Sequence, residues 1–87
     1  MALESISTKT LRELVEAGSI RSAVLIGVLG GISLKVRYGL VEKSLELDRG
    51  GVRVWRSLDA AAKFCRSLGL AQIELDLANW QPDQKTI

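Results

Sequence analysis

Between Gly51 and Leu70 the spacing of apolar residues changes from two to between three and four, and the rest of the chain is arranged around that change. Val52 and Val54 alternate with Arg53 and Trp55, the mark of a strand with its valines inward and its cation and aromatic outward. Ser57 then offers a side-chain oxygen to the free amides that open a helix. Leu58, Ala61, Ala62, Cys65 and Leu68 fall on one helical face, and Gly69 supplies a left-handed stop. Ile73, Leu75 and Leu77 alternate with Glu74 and Asp76 as a returning strand.

Upstream, Ser7 caps a helix predicted over Thr8 to Ala17, with Leu11, Leu14 and Val15 on one face and Gly18 closing it. Thr10 with Glu13 forms a competing capping box that could shift the start by a turn. Ile20 to Leu29 is a strand apolar on both sides, which requires cover on both. Gly30-Gly31 turns it into a second strand, Ile32 to Tyr38. There Ile32, Leu34, Val36 and Tyr38 face the core, and Ser33, Lys35 and Arg37 face out. Val41 to Asp48 reads as a third strand with Leu45 and Leu47 inward and Lys43, Ser44, Glu46 and Asp48 outward, although its middle also fits a short helix. Asp48-Arg49-Gly50-Gly51 makes a second hairpin loop. The order is therefore αββββαβ: one α+β domain over residues 1–80, with a mostly antiparallel sheet of four to five strands and two short helices. A polar tail follows over residues 81–87, its start pinned by Trp80.

Composition narrows the function more than it names it. Twelve Lys and Arg against ten Asp and Glu leave a net charge of +2, too little to argue for nucleic acid alone. The middle is more basic: Lys35 to Arg66 holds eight cations and four carboxylates. Cys65 is the sole cysteine, so no internal disulfide forms, and its place on the apolar helix stripe makes it a small core residue. No histidine is present, which removes the commonest general base and metal ligand together. The N-terminus lacks the basic and apolar regions of a signal peptide, and the run Ala23 to Ile32 is about half a membrane span. These features lead to the expectation of a cytoplasmic protein.

Candidate chemistry is sparse. Gly27, Gly30 and Gly31 sit in or between strands, and no Gly-Lys-Ser/Thr opens a helix. Glu42, Glu46 and Asp48 read as a solvated charge row, and no serine lies in a nucleophile elbow. Neither a catalytic centre nor a cofactor or metal site is expected. What stands out is an outward surface of Lys35 and Arg37, Lys43, and Arg53 with Trp55, extended by Arg56. If the strands pair in chain order, this mixture suits phosphate contact plus base stacking. Charges that simply keep a sheet face soluble would look the same. Two short helices hardly cover both faces of such a sheet. Either they are split between the faces, or a second copy covers the remainder as a homodimer.

The segments Val36-Arg37-Tyr38-Gly39, Arg49-Gly50-Gly51-Val52-Arg53-Val54-Trp55-Arg56-Ser57-Leu58-Asp59-Ala60-Ala61 and Leu68-Gly69-Leu70 resemble a family of small plasmid partition-associated proteins. This is the ParC-type family, unrelated to the topoisomerase subunit of similar name, and the likeness runs from about Thr8 to Trp80. The resemblance implies a non-catalytic accessory protein of plasmid partition or stability whose partner is a protein of the partition system. A small DNA-binding module using the basic surface is the alternative. The resemblance carries no catalytic residues.

Overall fold

The computed structural model describes residues 5–46 and 51–80. Its elements are β1 (Ser5–Ile6), α1 (Thr8–Glu16), β2 (Ser22–Val28), β3 (Gly31–Tyr38), β4 (Val41–Leu45), α2 (Leu58–Leu68) and β5 (Glu74–Asp76). They build one five-stranded sheet in the order β1-β4-β3-β2-β5. The central pairings β2–β3 and β3–β4 are antiparallel, because tight turns join those strands. Both edge pairings, β1–β4 and β2–β5, are parallel, so the sheet is mixed where a mostly antiparallel one was expected. The reason is that α1 separates β1 from β2 and α2 separates β4 from β5. A helical crossover brings the chain back in its starting direction. The predicted order αββββαβ describes the chain once Gly51 to Trp55 is counted as its fourth extended segment, with the two-residue β1 ahead of α1. That fourth segment holds to the sheet by two isolated bridges, Glu46–Val52 and Ile32–Trp55.

Local signals explain the helix ends. Ser7 Oγ accepts the Thr10 amide at 3.1 Å, so α1 starts at the first of its two candidate caps. Ser57 Oγ likewise accepts the Ala60 amide at 3.1 Å. Gly69, at φ 100°, ends α2, while the Leu70 amide donates back to the Cys65 carbonyl at 3.0 Å. Ser57→Ala should cost about 1 kcal/mol of stability, measured by urea unfolding, because an opening amide of α2 loses its acceptor.

One core lies between the sheet and the helices. Leu11 of α1 and Ala61, Cys65 and Leu68 of α2 join Ala23, Leu25, Ile32, Leu34, Val36 and Leu45 of the sheet, together with Ile6 and Trp55. Both helices therefore cover the same face of the sheet. The stripe on α2 is Ala61, Phe64, Cys65 and Leu68, rotated from the one expected, and Leu58 and Ala62 are exposed. Along β3 Ile32, Leu34 and Val36 are buried as predicted, but Ser33, expected to face out, is buried as well, because it sits mid-sheet on the strand between β2 and β4. Val41–Leu45 is a strand, which resolves its helix-or-strand ambiguity. Trp80 packs against Gly27, where a Cβ would collide with its backbone and side chain. Residues 47–50 and 81–87, on which the predicted second hairpin turn, Leu47, Asp48 and the predicted polar tail fall, lie outside the described residues. No described helix is long and apolar enough to cross a membrane.

Burial pushes the Cys65 thiol from its ordinary value up to about 11. Between those values the unfolded chain ionises and the folded chain does not. Whatever stability the protonated thiol contributes is complete below the ordinary thiol value and is lost as pH rises from there to about 11. In the native protein at pH 8 Cys65 should not react with a disulfide reagent on the timescale of seconds, and urea unfolding should release the reaction. Immediate labelling of native protein would show the site to be open.

Candidate functional site

The cations singled out in the sequence come from four segments, and register decides which of them meet. In the β2–β3 ladder Val24 lies opposite Lys35 and Ser22 opposite Arg37, on the face turned away from the helices. In the β3–β4 ladder Lys35 faces Ser44 and Arg37 faces Glu42. Val36 faces Lys43, so Lys43 shares the helix-covered side with Val36 and Leu45. The expectation that Lys43 joins Lys35 and Arg37 is therefore corrected. Buried Leu45 sets the parity of the strand, and Lys43 stands two residues before it.

Trp55 is corrected in the same way. Its amide and carbonyl pair with Ile32 at 2.8 Å in both directions, which turns the indole to the side of the Ile32 side chain. There it is 7% exposed, and its ring centroid lies 5.0 Å from that of Phe64. The Arg53 guanidinium sits over both rings, at 5.0 Å from Trp55 and 5.4 Å from Phe64. The inward and outward sets of this segment are exchanged: Val52 and Val54 are exposed and Trp55 is core. The indole takes the inward side because it finds a large apolar partner there in Phe64. Arg56 is exposed just before α2.

Five of the six residues thus form two groups, with Arg56 in neither. Lys35 and Arg37 lie on the open sheet face, and Lys43, Arg53 and Trp55 on the helix side. The open face also gathers carboxylates. Glu42 pairs with Arg37 at 2.7 Å, Glu46 accepts the Ser5 hydroxyl at 2.8 Å, and Glu74 and Asp76 stand beside Val24 and Ile26. Two cations against four carboxylates make this face no phosphate cradle. The hydrogen bond and charge of Arg37 hold the Glu42 carboxyl below its ordinary pKa, so the pair persists into mildly acidic solution. Around it lies an open concavity of about 630 Å³ lined by Lys35, Arg37, Gly39, Leu40, Val41, Glu42 and Ser44. No nucleophile–base pair lines it, and among the described residues no three His, Cys, Asp or Glu side chains converge as metal ligands. Sequence reasoning read Glu74 and Asp76 as an outer strand face but had no signal for their neighbour, because a parallel edge pairing leaves no local turn motif.

A family model described as ParC-like matches residues 6–84, nearly the whole chain. The chain belongs to the ParC-like family. This is the family to which the Val36–Gly39 and Arg49–Ala61 segments pointed. No curated protein and no solved structure matches the chain significantly. The matched range of the ParC-like chain takes in its hairpin, its Trp55 segment and α2, and its surfaces are interpreted from their own chemistry.

Proposed function

We propose that this ParC-like chain is a non-catalytic accessory protein of plasmid partition or stability that works through protein contacts. The observation that carries this reading is the family match over residues 6–84. A sheet face of mixed charge that neither described helix covers supports it, since such a surface suits a folded partner better than a polyanion. Deletion of the gene from a plasmid that carries it should lower plasmid retention without selection. The tagged protein should also retain a purified component of the partition machinery. Unchanged retention together with no captured component would sink the proposal.

A small DNA-binding module is the alternative reading, and it draws on Lys43 and Arg53 on the helix side and on exposed Arg56 before α2. Anisotropy of a labelled duplex at two salt concentrations separates the two readings. Binding that weakens steeply with salt and is lost in an Arg53→Glu/Arg56→Glu variant favours DNA, and no binding at low salt favours the protein partner.

A further inference from the structure

Both helices lie on one side of the sheet, and the other side carries a row of half-buried apolar residues, Val24, Ile26 and Val28, along β2. β3 flanks that row on one side and β5 on the other. Val24 stands between Lys35 and Glu74, and Ile26 between Ser33 and Asp76. The apolar row therefore runs between a cationic flank and an acidic one. Arg37 is already engaged by Glu42, whereas Lys35 makes no ion pair among the described residues.

Such a face is complementary to itself under one symmetry and not under the other. Two stacked sheets lie about 10 Å apart, related by a two-fold axis in the plane between them. An axis running across the strands lays β3 on its own copy and brings the two cationic strands together. An axis running along β2 lays β2 on its copy and β3 on the partner's β5, with every residue at its original level. Lys35 and Glu74 share a level, because both are in register with Val24. Lys35 then comes opposite the acid of the other copy. The usual offset of about 30° between packed sheets shifts a pair one strand from the axis by only about 2 Å, within reach of a lysine side chain.

We propose that the open sheet face is the interface of a symmetric homodimer whose two-fold axis runs along β2. Val24, Ile26 and Val28 pack on their copies, and Lys35 pairs with Glu74 of the partner subunit. The assembly closes at two chains, since the same patch is used on both. It leaves the helix side, with Arg53 over Trp55 and Phe64, on both outer surfaces. The family match that carries the plasmid reading stands with or without this dimer, but a partition partner then docks elsewhere than on this face.

Sedimentation equilibrium of the full chain across micromolar to near-millimolar concentration tests it. The wild type is expected to pass from monomer to dimer with no larger species. Lys35→Glu and Glu74→Lys each place like charges across the interface and should weaken association on the order of 10- to 100-fold. An equimolar mixture of the two variants restores opposite charges at both pairs and should recover dimer, now as a heterodimer. Recovery on mixing requires both variants to be folded. A wild type that stays monomeric throughout overturns the proposal, and so does any face occupied by another protein or by DNA, which leaves the free chain monomeric. Variants that dimerise like the wild type, or a mixture that gains no dimer over its components, overturn it equally.

Discussion

Trp55→Ala should bring the protein close to its unfolding midpoint at 25 °C. The indole is 7% exposed, rests against Phe64, and lies beneath the Arg53 guanidinium. Truncating a buried tryptophan costs about 3–5 kcal/mol, through lost burial and the cavity left behind. Domains of this kind have total stabilities of about 5–15 kcal/mol, and a short chain lies toward the lower end. The segment around Trp55 is held by two isolated bridges in place of a full strand ladder, so little else resists its release. Trp55→Phe keeps an aromatic over Phe64 and should lose roughly half as much. Urea unfolding followed by far-ultraviolet circular dichroism checks both variants. A loss below about 1 kcal/mol for the alanine variant would place Trp55 outside the core. Arg53→Ala should cost about 0.5–1 kcal/mol in the wild type and almost nothing in the Trp55→Ala background, because its aromatic partner is then gone.

Gly31→Ala is the second large effect expected. Gly31 has φ 152°, and a Cβ there would overlap the Trp55 carbonyl. That carbonyl accepts the Ile32 amide at 2.8 Å. The methyl group must displace the Trp55 segment or twist the start of β3, and either movement strains the paired bonds between Ile32 and Trp55. Backbone strain of about 1–3 kcal/mol and the loss of one or two hydrogen bonds at about 1 kcal/mol each give about 2–5 kcal/mol. Gly30, the adjacent residue in the same turn, has φ 94° with no atom within 4 Å of the added Cβ. Gly30→Ala should therefore cost only the left-handed backbone, about 1 kcal/mol. Paired urea melts of the two variants isolate the collision from the turn conformation. Equal losses in both would mean that the close approach of Trp55 to Gly31 contributes nothing.

The helices were legible because their information is local. Ser7 and Ser57 sit one residue before their helices and accept amides three residues on, and Gly69 stands where a left-handed residue is required. The β2–β3 hairpin was legible for the same reason, since Gly30-Gly31 and the alternation along β3 are contained in a few consecutive residues. The surface was read less well. Lys35 and Arg37 were placed correctly, because they alternate with buried Ile32, Leu34 and Val36. The spacing around Lys43 predicts the wrong face for it, although Lys43 shares the parity of Leu45. The sequence Val41-Glu42-Lys43-Ser44-Leu45 carries only two apolar residues to set the phase. Trp55 was misplaced because an alternating pattern of two valines, an arginine and a tryptophan fits either orientation. The choice depends on which side chain finds a large apolar surface, and that surface, Phe64 with Ile32, comes from two distant segments.

The sequence by itself determined two capped helices, a central hairpin, the α+β class and the resemblance to the ParC-like family, all of which rest on spacing, caps and turns within short windows. Only the tertiary structure decided that both edge strands run parallel to their neighbours and that both helices cover one face. It also decided that Trp55 turns inward and that Lys35 and Glu74 flank one apolar row. Those outcomes depend on pairings between residues tens of positions apart, where the cost of closing a loop grows only slowly with its length and so selects weakly among partners. Burial of Trp55, Leu34 and Leu25 against the helices makes the selection instead.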